Sequence, residues 1–359
     1  MLKIILLSIL LLPTLSLASQ PEAERIKRNY ELSAEKWLLE MKLATTAEQQ
    51  QALSAGRPDP VKTAGDLWTA ITPSLKEEWT LPYAAFFIEI TSGLTVPDAN
   101  GTPQQAFSKD RDRLISFIKL NHLKSSSITP FCIALYNSGN PQALPILEDI
   151  AGEHPDESVQ GIAALGAAVI LKGLGDDSEL MKKRLGYLRK AIIQSADKTI
   201  AGRSVADIAS DQLYIIRYLT KGRTAPPFTG TDVAGRTVKL SDQVGKITVL
   251  LFWDAKSPQT DKIINLTNQM VTKFRDKPVN IIGITPESLD RIRSLQADGS
   301  IQWNNIHDPA GKLSDEYRIS SRPSVYVLDE KGTIQFTGLP GSFAELTVDA
   351  LLTGEDETE

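Results

Sequence analysis

The sequence predicts a two-part chain, an all-α region followed by an α/β sandwich whose mixed sheet is flanked by helices. Three observations predict it. Apolar residues recur at helical spacing from about residue 21 to 220. At Lys221 the pattern changes to short apolar strands alternating with amphipathic helices. Pro73, Gly93, Pro97, Gly101, Pro130, Gly139, Pro141 and Pro155 cut the first part into short pieces.

In the first part, Glu22 to Leu53 reads as a charged amphipathic helix with Trp37, Leu38, Met41 and Leu43 on a buried stripe. The break Gly56-Arg57-Pro58-Asp59-Pro60 ends it. Further helices are expected over 61–71, 74–91, 103–121, 127–137, 141–152, 156–173, 177–195 and 203–220. The run from Pro141 to Leu219 reads either as solenoid-like stacked helical hairpins or as an irregular bundle. No self-match appears at a period of about 34 or about 40 residues. Gly161, Ala163, Ala164, Gly166, Ala167 and Ala168 are small residues suited to close helix packing. Trp37, Trp68 and Trp79 read as core anchors.

In the second part, Phe228–Asp232 and Arg236–Leu240 form a hairpin around Val233-Ala234-Gly235. Ile247–Phe252 is a strand, and a helix runs from Pro258 to about Arg275. Val279–Ile284 is a second strand, Glu287–Ala297 a helix, and Pro309–Tyr317 a short helix. Ser324–Leu328 and Thr333–Thr337 pair around Asp329-Glu330-Lys331-Gly332. Phe343–Leu352 is the last helix.

The chain has 359 residues, 42% hydrophobic and 23% charged, which is ordinary for a globular protein. It carries 39 basic and 44 acidic residues, a net charge of -5, which argues against nucleic acid as a partner. The one cysteine, Cys132, excludes an internal disulfide, a CxxC pair and a thiolate zinc site. It sits in an apolar helical stretch and reads as a buried small hydrophobe. The three histidines, His122, His154 and His307, are too scattered for a His-pair metal motif. No metal and no cofactor are expected.

Met1-Leu2-Lys3, the apolar run Ile4–Leu12, Pro13 and the small residues of Ser16-Leu17-Ala18 read as a secretory signal peptide over 1–19. The alternative is an uncleaved anchor. The expected organisation is a signal peptide at 1–19, a helical domain at 20–220, an α/β domain at 221–353 and an acidic disordered tail at 354–359. Export to the periplasm or cell envelope follows, with no stable membrane insertion after cleavage.

Several segments of the α/β domain carry a resemblance. They are Pro226-Pro227-Phe228 to Gly235, Val238-Lys239-Leu240-Ser241-Asp242, Gly245-Lys246 and Val249-Leu250-Leu251-Phe252-Trp253. With Arg322-Pro323-Ser324 to Gly332, they resemble the redoxin branch of the thioredoxin-like fold. The likeness is to the TlpA and ResA type of thiol–disulfide oxidoreductase, related to AhpC/TSA proteins. It implies a thioredoxin-like sandwich, with Trp253 at the end of the active-site strand and a cis-proline at Pro323. The family has a CxxC pair where this chain has Ser257-Pro258-Gln259-Thr260. Ser257 stands in place of the nucleophilic cysteine and Thr260 in place of the resolving one. That chemistry needs a thiolate at a helix N-terminus and a second thiol one turn on. Hydroxyls stay protonated and carry no electrons, so the domain is expected to be redox-inactive. Ser257 and Pro258 suit the N-cap and first turn of a helix. A serine hydrolase is disfavoured because His307, followed by Asp308, is not expected beside Ser257.

Trp253, Lys256, Ser257, Pro258, Arg322 and Pro323 are the candidate binding residues. They are expected to face an extended peptide or protein partner. Two other functions stand beside this one: the oxidoreductase that the resemblance implies, and a helical interaction module with a structural appendage.

Overall fold

The computed structural model describes residues 20–175, 177–255 and 260–354. Among them lie two compact units, which part at Ala209/Ser210. The signal peptide expected at 1–19, the segment Lys256–Gln259 and the tail beyond Gly354 lie outside the described residues.

The first unit is helical. It comprises α1 (Gln20–Leu43), α2 (Ala47–Ser54), α3 (Pro60–Ile71), α4 (Leu81–Thr91), α5 (Ser108–Asn121), α6 (Thr129–Ser138), α7 (Leu144–Glu153), α8 (Glu157–Lys172) and α9 (Ser178–Ser195). Two small antiparallel hairpins interrupt them: β1 (Thr95–Pro97) with β2 (Pro103–Gln105), and β3 (Thr199–Ile200) with β4 (Arg203–Ser204). α4 and α8 are its most buried helices. Helix lengths run from 8 to 24 residues.

The helix starts follow local chemistry. The Thr46 hydroxyl accepts from the Gln49 amide, and a full capping box starts α2. Asp59, Asp156 and Asp177 accept amide hydrogens of the first turns of α3, α8 and α9.

Several expectations are corrected here. The helix expected over 74–91 starts at Leu81, after two 3₁₀ turns at Thr72–Ser74 and Glu78–Thr80. Pro82 sits in its first turn, where a missing N–H costs nothing, whereas an interior proline would clash with the preceding turn. The helix expected from 103 starts at Ser108, because Pro103–Gln105 pairs with Thr95–Pro97 instead. The buried stripe on α1 is absent: Leu38 is 51% and Leu43 71% exposed. α1 packs through its first half, where Ala23 is buried, Glu24 accepts from the Tyr83 hydroxyl and Tyr30 meets Phe86 edge-on. Trp37, Trp68 and Trp79 are half-buried, and Trp37 donates its indole N–H to the Leu53 carbonyl.

The small residues of α8 serve packing. A Cβ on Gly161 would lie 2.1 Å from Ser195 Oγ, and one on Gly166 would lie 3.1 Å from a Leu147 methyl. Cys132 is fully buried on α6. Burial pushes its thiol up from 9.0 to about 12. The folded chain therefore favours the protonated thiol. The stability contributed by this group is full below pH 9.0 and is lost as the pH rises towards about 12. Cys132 is expected to resist iodoacetamide at neutral pH in the folded chain and to react once denatured, as read by mass spectrometry. Labelling of the native chain at the denatured rate would contradict this.

The second unit begins within α10 (Val205–Tyr218). Tyr214, Ile215 and Leu219 pack against its core, which explains why the division precedes the change of composition at Lys221. β5 (Thr229–Thr231) and β6 (Thr237–Lys239) form the leading hairpin. Then follow β7 (Ile247–Phe252), α11 (Thr260–Lys273), β8 (Val279–Thr285), α12 (Leu289–Ala297), β9 (Asn304–His307) and α13 (Lys312–Glu316). The unit closes with β10 (Ser324–Leu328), β11 (Ile334–Gly338) and α14 (Ser342–Thr353).

The five-stranded sheet has the order β11-β10-β7-β8-β9. β7, β8 and β9 are parallel, and β10 and β11 run antiparallel to their neighbours. All six residues of β7 are buried, as a central strand covered on both faces requires. One face packs Val249, Leu251, Trp253 and Val327 against α11, α12 and α14. The other packs Leu250, Phe252, Ile282 and Tyr326 against Phe228 and Tyr317. β9 was not expected from the sequence.

Candidate functional site

In a sheet of this kind the loops beyond the carboxyl ends of the parallel strands form the usual crevice. Three loops leave that end: Trp253–Ala255 after β7, Pro286–Glu287 after β8, and Asp308 after β9. The register pairs Phe252 with Ser324, so the start of β10 arrives at the same end. The Arg322–Pro323 peptide bond there is cis, as expected.

The two edges of the Ser257 segment are fixed by side chains. The Ala255 amide donates to Glu287 Oε1 at 2.9 Å, and Thr260 Oγ1 donates to the Asp254 carbonyl at 2.9 Å. Sequence reasoning missed Glu287. Its signal would have been an acid just past the end of β8, beside the loop that must be anchored. Thr260, which the resemblance sets in place of the resolving cysteine, opens α11 and donates back to the Asp254 carbonyl. Lys256, Ser257 and Pro258 lie outside the described residues.

Trp253, expected to face a partner, is 1% exposed and donates its indole N–H to Asn305 Oδ1 at 2.9 Å. Asn305 in turn donates to the Trp303 carbonyl at 3.0 Å. Trp253 therefore supports the loop from beneath. Pro323 is buried and Arg322 is half-buried.

Arg322 Nη2 donates to Ser314 Oγ at 2.6 Å, and Ser314 Oγ donates to Asp308 Oδ2 at 2.9 Å. Asp308 also accepts the Leu313 and Ser314 amides, which start α13. The proline loop is thus tied to a buried carboxylate through one hydroxyl. His307, half-buried on β9, pairs with Thr285 on β8. It is two strands from β7, about 10 Å at the usual spacing.

A cavity of about 590 Å³ is lined by Ala255, Thr260, Ile264, Asn268 and Arg291 among others. It opens between α11 and α12, and Arg322 and Pro323 do not line it. Trp253 and Pro323 adjoin across β7 and β10, whereas the cavity lies on the α12 side. No cluster of metal-ligating side chains occurs among the described residues, and none of the described helices is long and apolar enough to cross a membrane.

Sheet order, the antiparallel last hairpin and the proline loop define a thioredoxin-like α/β domain. Residues 221–337 match the AhpC/TSA family, and this C-terminal region is a thioredoxin-like redoxin domain. The chain is 25% identical over 114 residues to the thiol-disulfide oxidoreductase ResA of Bacillus thuringiensis, which covers 32% of this chain and 66% of the relative. It is 29% identical over 129 residues to the chloroplastic peroxiredoxin Q of Sedum lineare, covering 34% of this chain and 69% of that protein. A structure described as a thiol:disulfide interchange protein DsbE from Chlorobium tepidum aligns at 24% identity and a TM-score of 0.35. It covers 37% of this chain and 99% of that one. The thioredoxin domain of a Bacteroides vulgatus thiol-disulfide oxidoreductase aligns at 27% identity and a TM-score of 0.34, with the same coverage.

Proposed function

We propose that this is an exported redoxin-domain protein that has lost thiol chemistry and binds an extended peptide or protein partner at the cell envelope. The observation that carries the reading is a substitution without collapse of its surroundings. Ser257 and Thr260 stand where the family places two thiols. Yet both edges of that loop are hydrogen-bonded, and the cis Arg322–Pro323 bond lies at the same end of the sheet. In the oxidoreductases such a loop presents backbone to an extended segment, and main-chain pairing does not need sulfur.

Export rests on the residues before Gln20. The oxidoreductase reading draws on the names of the relatives. Against it stands Cys132, the chain's one thiol, which is buried in the helical unit.

The test is a titration of the full chain with reduced and alkylated insulin B chain, an extended peptide without thiols. Saturable NMR shifts at residues 255–260 and 321–324 are expected, at weak, near-millimolar affinity, since a short strand-like contact must offset the cost of ordering the peptide. Shifts confined to residues 20–209, or none, would remove the redoxin surface from the function.

A further inference from the structure

The helical unit buries a cation that forms no ion pair with a carboxylate among the described residues. Arg111 on α5 is 7% exposed. Among the described residues the one charged group acting on it is Asp112, its neighbour in the chain, whose side chain is exposed. Burial holds the guanidinium below its usual range, though an arginine stays charged.

Its hydrogen bonds go to neutral oxygens. Nη1 donates to the Thr91 carbonyl at 2.7 Å and the Ala106 carbonyl at 2.8 Å, and Nη2 reaches Gln105 Oε1 at 3.4 Å. A guanidinium carries five N–H donors. The Nε–H and one Nη2–H therefore have no acceptor among the described residues.

Arg111 lines a cavity of about 320 Å³. Ile88, Ile115 and Leu135 give it an apolar wall, and Ser92, Ser138 and Asn140 a polar one. The Ser92 and Ser138 hydroxyls already donate to the Ile88 and Leu135 carbonyls. Arg111 thus brings to the cavity wall a cation bonded only to neutral oxygens, and the space is that of a small molecule.

We propose that this cavity binds the carboxylate of a ligand with a short apolar body, with Arg111 as its counter-charge. A planar guanidinium fork fits a carboxylate through two parallel hydrogen bonds. One cation matches one negative charge, and the wall formed by Ile88, Ile115 and Leu135 matches an aliphatic chain. Two sources offer this chemistry: a free short-chain acid, and the carboxyl terminus of a peptide. The site belongs to the helical unit and is independent of the redoxin reading.

The test titrates the full chain with four probes while amide NMR shifts are followed. The probes are butyrate, butyramide, acetyl-Ala-Leu with a free carboxylate, and the same peptide amidated. Saturable shifts at Ile88, Gly93 and Ser138 are expected with at least one acid, and the matching amide should bind about tenfold or more weaker. Butyrate alone would identify a free acid as the source, and the peptide acid alone a chain terminus. Arg111→Met should abolish binding. Because Arg111 also ties Thr91 to Ala106, Ser92→Leu serves as a second variant that fills the cavity with the guanidinium untouched. It should fold and lose binding. Equal response to acid and amide, no saturable response to either acid at millimolar concentration, or full binding by folded Ser92→Leu would overturn the proposal.

Discussion

Gly283→Ala should destabilise the redoxin unit by about 2–5 kcal/mol, the sum of overpacking and a lost buried hydrogen bond. Gly283 lies in the middle of β8, where a glycine ordinarily weakens a strand. Here three side chains converge on the place its Cβ would occupy. That atom would lie 2.0 Å from Asn305 Oδ1, 2.7 Å from Trp303 Nε1 and 2.9 Å from Trp253 Nε1. None of the three can swing away cheaply. Trp253 and Trp303 are buried and meet edge to face at 6.1 Å, and Asn305 is held by bonds at both ends of its amide. The added methyl must break the Trp253–Asn305 bond or displace an indole. Trp303 Nε1 is already buried without a partner among the described residues, so the node has little polar slack. Urea denaturation followed by tryptophan fluorescence measures the effect. A loss under about 0.5 kcal/mol, the range of a neutral surface substitution, would show that the node is not packed as described.

The consequence of that node reaches the candidate site. Trp253 is the last buried residue before the Asp254–Ala255 loop, and its amide donates to the Ile284 carbonyl, extending the β7–β8 ladder. An indole fixed from below, an amide held by Glu287 and a hydroxyl tied to Asp254 together position the edges of the Ser257 segment. Three side chains thus fix the described residues on either side of 256–259.

Much of this was legible in the sequence, and the failures have physical causes. β7, β8 and β10 are continuous apolar runs bounded by turn residues, which local pattern detects well. β9 is Asn304-Asn305-Ile306-His307, and asparagine reads as a turn residue. Only the tertiary bonds of Asn305 to Trp253 and Trp303 make a buried asparagine acceptable in a strand. The stripe on α1 failed because periodicity shows which residues share a face, not how far along the helix its partner extends. Position beside Ser257-Pro258-Gln259-Thr260 points Trp253 to a partner surface, but its burial depends on Asn305 of β9, a strand that local pattern does not show. Arg111 gives no local signal, and the acid at Glu287 gives one only once the end of β8 and the loop beside it are placed. Each matters through residues distant in sequence, Thr91 for one and Ala255 for the other.

The central claim is that a thioredoxin-like scaffold survives here without thiol chemistry. It is tested most directly by the rate of insulin reduction with dithiothreitol as electron source. Three proteins are compared: the chain itself, Cys132→Ser, and the double variant Ser257→Cys with Thr260→Cys. In that assay an active domain cycles between dithiol and disulfide, passing two electrons and two protons to each insulin disulfide. The chain and Cys132→Ser should match the rate of dithiothreitol alone. The double variant should oxidise to an internal disulfide and exceed that rate several-fold. Turnover by the chain above the dithiothreitol background would contradict the account. A double variant that folds but neither forms the disulfide nor accelerates reduction would show that Ser257 and Thr260 do not occupy the thiol positions.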